Sequence, residues 1–98
     1  MNSTDNKQLY EIETIYIVLN NTYNRKYTIT ARNVYHAIKL AQSMTVNDEV
    51  KKYKAKNKIK SINYAKSFVK NNIEFVSFNQ YKNGFTEFVN EFNPSYCY

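Results

Sequence analysis

The chain has 98 residues with a formal charge of +6, and its 43 % apolar content, including ten tyrosines and six phenylalanines, is too high for a disordered segment and sufficient for one small core. A single glycine, Gly84, and a single proline, Pro94, exclude a flexible linker and a glycine-rich phosphate loop. One cysteine, Cys97, excludes an internal disulfide.

The expected organisation is a flexible arm over residues 1–8, one α+β domain over 9–93 and a flexible tail over 94–98. The opening residues MNSTDNKQ are polar, unlike a secretory leader. No apolar run approaches the roughly 20 residues of a membrane span. The expectation is therefore a cytoplasmic protein without membrane partners.

Leu9 to Leu19 is β-branched and aromatic, as strands require. Alternation puts Tyr10, Ile12, Thr14, Tyr16 and Val18 on one face, and Glu11, Glu13, Ile15, Ile17 and Leu19 on the other. Asn20 to Arg25 is asparagine-rich and reads as a turn. Lys26 to Ala31 alternates with Tyr27, Ile29 and Ala31 inward, the pattern of an edge strand with one wet face.

Asn33 is suited to capping a helix over Val34–Met44, where Val34, Ala37, Ile38 and Ala41 recur at helical spacing. Thr45 or Asn47 then starts a second helical region, with Asp48 and Glu49 in its first turn. Its apolar stripe shifts register between Ala55 and Ile59, which fits either one bent helix or two helices meeting near Asn57. Ile73 to Phe78 reads as a third strand. Tyr81 to Gly84 reads as a turn whose Asn-Gly pair would usually signal a hairpin, but Phe85, Phe88, Val89 and Phe92 at i, i+3, i+4, i+7 predict a short C-terminal helix. The result is a ββααβα order: a three-stranded antiparallel sheet, strand one central, with helices mainly on one face. Strand three then has a free edge through which a homodimer is possible.

The strongest functional signal is Lys51 to Lys70, where eight of twenty residues are lysine and no carboxylate lies between Glu49 and Glu74. The other six basic residues face all eight acids, so the positive charge of the chain originates here. Fixed cations in series meet phosphates and release condensed counterions. Lys51, Lys52, Lys54, Lys56, Lys58, Lys60, Lys66 and Lys70 are the candidate contacts, with Tyr53 beside them and Arg25 and Lys26 as an extension from the hairpin. On one continuous helix, Lys52, Lys56, Lys60, Lys66 and Lys70 form a broad sector flanked by Lys51, Lys54 and Lys58. Lysine is a point charge that reads no base edge, so the expected preference for sequence is low. The bland alternative is a solvated face whose aliphatic stems cover apolar surface. Tyr53 and Tyr64 are aromatic candidates for base stacking, but their place in the apolar stripe favours packing against the sheet.

Catalytic residues are not expected. A triad needs a base beside a nucleophile and a third group to orient the base, and His36 is the only histidine. One cysteine and one histidine do not form a zinc site, and no cofactor motif is present. The acid pairs Glu11/Glu13 and Glu87/Glu91 read as solvated side chains. The expected function is a small non-enzymatic protein that uses a lysine-rich helix to contact a nucleic-acid backbone or an acidic protein surface. In size and low-GC residue usage the chain also looks similar to small accessory proteins of bacteriophages, a likeness of composition and not of motif. It implies the alternative of a phage-type inhibitor, host-takeover or anti-defence (anti-CRISPR-like), acting by protein contact on a nucleic-acid-handling enzyme.

Overall fold

A computed structural model describes residues 6–97, without the side chains of residues 96 and 97. The first five residues of the expected arm, and Tyr98 of the expected tail, lie outside the described residues. Four strands and two helices follow in the order β1 (Gln8–Val18), β2 (Asn21–Ala31), α1 (Val34–Asn57), α2 (Ile62–Asn72), β3 (Ile73–Lys82) and β4 (Glu87–Phe92), ending in a 3₁₀ turn, Pro94–Cys97, beside α1 and β3. The sheet is wholly antiparallel in the order β2-β1-β3-β4. Strand β1 is central and β2 is an edge, as its composition predicts. The order is thus ββααββ, and β3 is covered by β4, so the free edges are β2 and β4 rather than β3.

The first hairpin turns one residue earlier than expected. Leu19 and Asn20 both take positive φ, 49° and 70°, giving the tight two-residue turn whose twist suits adjacent antiparallel strands. The asparagines that follow are strand residues, and Arg25 pairs with Thr14 inside the ladder instead of lying in a loop.

The predicted C-terminal helix is a strand. Asn83, Gly84 and Phe85 all have positive φ, and Glu11 Oε1 accepts the Gly84 and Phe85 backbone N–H groups at 3.0 and 3.2 Å, fixing a hairpin turn. The ladder between β3 and β4 shifts register past Gln80/Tyr81, leaving Val89 as an extra residue. Phe88 consequently lies opposite Tyr81, on the sheet face away from the helices. Phe92, four residues on, lies opposite Phe78 on the helix side. A bulged strand therefore reproduced helical spacing. A similar shift in β3 puts Phe75 and Phe78, three apart, on the same side, with ring centroids 5.4 Å apart.

Helix α1 runs through the break expected at Thr45. Asn33 Oδ1 accepts the His36 N–H at 2.8 Å as predicted, but Thr45 is mid-helix, its hydroxyl donating to the Ala41 carbonyl. The first half of α1 covers the sheet, burying Ala37, Ile38 and Ala41 with Ile12, Ile29, Ala31, Phe78 and Phe92. Its apolar stripe then rotates, and Val50, with Val46 and Tyr53 at its margin, packs on Ala65 and Val69 of α2 as a second core. One helix thus serves two cores, which explains the shifted periodicity.

Of the two arrangements the sequence allows near Asn57, the structure has two helices. Lys58 closes α1 in the left-handed conformation (φ 54°), the Ile59 N–H bonds the Lys54 carbonyl at 3.0 Å, and Ile59 packs on the second core. Ser61 then caps α2, its Oγ accepting the Tyr64 N–H at 3.2 Å.

Candidate functional site

Between the two apolar cores lies a polar layer. Thr14 and Thr45 join by their hydroxyls at 3.0 Å. Tyr16, 1 % exposed, donates to Glu49 Oε2 at 2.6 Å, and Arg25 donates to the same oxygen through Nη2 at 3.0 Å and Nε at 3.2 Å. Arg25 Nε also reaches the Tyr16 oxygen at 2.9 Å, and Tyr27 donates to Asp48 at 2.6 Å. Burial and the bond to Glu49 drive the Tyr16 phenol well above its ordinary range, with Arg25 pulling the other way. Burial and the Asp48 carboxylate push Tyr27 up to about 12. Asp48 and Glu49 are therefore not dipole partners at a helix start. They fix the middle of α1 to β1 and β2.

Beside this layer, the β1–β2 turn and the helical pair α1/α2 enclose a cleft of about 330 Å³. Its apolar surface comes from Val18, Leu19, Phe68 and Val69, and Lys52, Lys56 and Glu49 supply its charge. Tyr53 stacks on Phe68 with centroids 4.1 Å apart and planes 8° from parallel. Lys52 Nζ sits 4.2 Å from the Tyr23 ring centroid and 4.0 Å from Glu49 Oε1. That Glu49 oxygen carries no hydrogen bond among the described residues.

The reversal at Lys58 regroups the lysines. Lys52 and Lys56 line the cleft just described. Lys66 and Lys70 line a second depression with Gln42, Ser43, Val46 and Asn47 of α1. Lys51 and Lys54 follow Asn47 at i+4 and i+7, so they continue that second flank. The single row from Lys52 to Lys70 is replaced by two cationic flanks of one helical hairpin, with Lys58 and Lys60 at its tip. Except for half-buried Lys54 all eight are exposed, and among the described residues Lys52 is the one of them with a carboxylate within 4.0 Å.

The proposed extension through Arg25 and Lys26 divides. Arg25 points to the helices, its guanidinium engaged by Glu49 and, at 3.9 Å, by Asp48. Lys26 lies on the opposite sheet face, 5.5 Å from the Phe85 ring centroid. Tyr53 is a wall of the cleft and half-buried, whereas Tyr64 is 56 % exposed. His36 is half-buried, with Nδ1 lacking a hydrogen-bond partner.

The acids read as solvated include two anchors. Glu13 is 7 % exposed on the sheet face away from the helices, and accepts from Asn24 at 2.7 Å, Asn79 at 3.2 Å and Tyr81 at 3.0 Å. Burial works to raise its pKa, but these three bonds and the charge of Lys26 outweigh it and hold Glu13 below the ordinary carboxylate value. Glu11 anchors the second hairpin turn, and Glu87 and Glu91 are exposed on β4. Alternation placed Glu11 and Glu13 on one face; nothing in the spacing announced donors arriving from Asn79 and Tyr81, more than sixty residues away.

No protein-family model, curated protein or solved structure matches this chain. Among the described residues, no helix is long and apolar enough to cross a membrane.

Proposed function

We propose that this is a binding protein rather than an enzyme, and that the α1–α2 hairpin takes up a nucleic-acid backbone on its lysines. The supporting observation is the shortage of internal partners: among the described residues, the ion-pair contact along the lysine run is Lys52 with Glu49, at a loose 4.0 Å. Cations without carboxylate neighbours are the ones whose phosphate contacts release counterions at little internal cost. Two flanks on one hairpin suit backbone contact from two sides better than a straight helix laid along a groove. Low preference for sequence follows from lysine chemistry.

Mobility shift and anisotropy across a salt series test this. With about six phosphates neutralised, log K falls with a slope near −5 against log salt on duplex DNA. Removing Lys52 and Lys56, or Lys66 and Lys70, as paired glutamine changes lowers that slope by about 2 for each pair that touches phosphate. Absence of retardation of DNA and RNA at low salt overturns the reading. Capture of a protein partner that survives nuclease treatment, combined with that absence, transfers the lysines to an acidic protein surface.

A further inference from the structure

Leu19 is an exposed leucine held at φ 49°, in a turn position where asparagine or glycine fits better. An apolar side chain kept in a sparsely populated backbone conformation, facing solvent, points to function more than to folding. It lines the 330 Å³ cleft together with Lys56 and the stacked Tyr53–Phe68 pair.

We infer that this cleft receives one unstacked base of a single-stranded nucleic acid, with the flanking phosphates on Lys52 and Lys56. The inference rests on the phosphate-binding reading above and adds the class of strand and the place of the base. Three features of the cleft select the occupant. Its wall carries the Tyr53–Phe68 stack, an aromatic surface that holds any base by its π-face, while the Tyr23 ring is covered by Lys52 Nζ at 4.2 Å. Lys52 and Lys56 stand on the same cleft, so the occupant is anionic. Glu49 lines it with Oε2 consumed by Tyr16 and Arg25, and with Oε1 at 4.0 Å from Lys52 Nζ and without a hydrogen bond among the described residues. That carboxylate repels an acidic peptide side chain, yet accepts the ring N–H or exocyclic amine that a base edge presents. A nucleotide keeps its phosphates on the lysines and presents an uncharged donor edge to Glu49, whereas the carboxylates of an acidic side chain offer that oxygen no donor.

Insertion requires an unpaired base, so duplex binding uses phosphates alone. The probes are labelled oligothymidylate of about eight nucleotides, an abasic strand of equal length and a duplex of equal length, a size within the range single-strand sites occupy. Oligothymidylate is expected to bind roughly 5- to 160-fold tighter than the abasic strand, the range that stacking of one base supports. Leu19→Asn and Tyr53→Leu each bring that ratio toward one, and Leu19→Asn, which removes no lysine contact, leaves abasic binding unchanged. Leu19→Asn relieves the turn, so it remains folded and decides the matter if Tyr53→Leu unfolds. Equal binding of both strands overturns the cleft reading and leaves phosphate binding standing; failure of all three probes overturns both. Displacement of the base-bearing strand alone by an aspartate-rich, phenylalanine-containing peptide assigns the cleft to a protein ligand and overturns the nucleotide.

Discussion

Replacement of Arg25 by methionine is expected to destabilise the fold far more than Glu49→Gln, although both break the same ion pair. The Glu49 side chain is 6 % exposed, while that of Arg25 is 32 % exposed. Loss of the guanidinium removes two of the three hydrogen bonds on Oε2 and leaves a buried carboxylate with Tyr16, and with Lys52 at 4.0 Å. An uncompensated buried charge costs about 3–5 kcal/mol, and some water entry along the exposed arginine path puts Arg25→Met near the lower end, about 3 kcal/mol. In Glu49→Gln the guanidinium reaches solvent and keeps Asp48 at 3.9 Å, and the amide oxygen still accepts, so the loss is about 1 kcal/mol. Against a total stability of about 5–15 kcal/mol, the difference is easily read. Urea unfolding monitored by circular dichroism measures it as a shift in midpoint at constant slope. The double replacement Arg25→Met/Glu49→Gln is expected to recover about 1.5–3 kcal/mol relative to the sum of the two single losses, because no buried carboxylate is left stranded. A Glu49→Gln loss equal to or larger than that of Arg25→Met refutes the reasoning, since it would mean that the carboxylate is not the group needing compensation.

Glu13 is expected to confer acid sensitivity: its folded pKa is depressed, so its contribution is present above the unfolded carboxylate value and is lost as pH falls through the folded one. Glu13→Gln flattens the urea midpoint below about pH 4.3, the unperturbed value for glutamate, and an unchanged acid limb contradicts this. Tyr16 and Tyr27 have raised pKa values, so their contribution is complete below about pH 10 and fades as pH rises, through about 12 for Tyr27. Tyr16→Phe and Tyr27→Phe each reduce the alkaline slope of stability, and phenolate absorbance shows the delayed ionisation directly. Lys58→Gly removes a left-handed lysine from the end of α1 and is expected to raise stability by up to about 1 kcal/mol, the left-handed cost less glycine's own entropy; a loss instead would show that the α1–α2 reversal is not strained there.

The sequence made elements legible where one periodicity acted alone. Strand β1 from its alternation, the inward face of β2 and the Asn33 cap all depend on neighbours in the chain or a period of two, and they appear as read. The misreading of β4 comes from a single residue inserted into an otherwise regular pattern. Val89 in β4 turned alternation into 3.6-like spacing, and a helix was expected where Phe88 and Phe92 serve opposite faces of a sheet. At Thr45 the conflict was chemical. A capping-type residue and two acids imitate a helix start, but their partners are Thr14, Tyr16, Arg25 and Tyr27, brought from the first hairpin by tertiary folding.

The same contacts bear on the lysine hairpin. Asp48 and Glu49 close the acidic part of α1, and everything from Val50 to Asn72 is without carboxylates. Both acids are spent on Arg25, Tyr16 and Tyr27, except for the Glu49 oxygen near Lys52. Tying Asp48 and Glu49 into the sheet keeps them from neutralising the next turn of the helix, at the cost of burying one arginine–carboxylate pair. The reversal at Lys58 then folds α2 back, so lysines that a straight helix would string over some thirty ångströms (twenty residues at about 1.5 Å each) are drawn to the two sides of a short hairpin. Mutual repulsion among them is tolerated because the cations are exposed and screened, while Val50, Ala65 and Val69 hold the hairpin from beneath. Charge and packing are thus divided by depth within one helix pair, and it is on this separation, more than on the number of lysines, that the proposed polyanion contact depends.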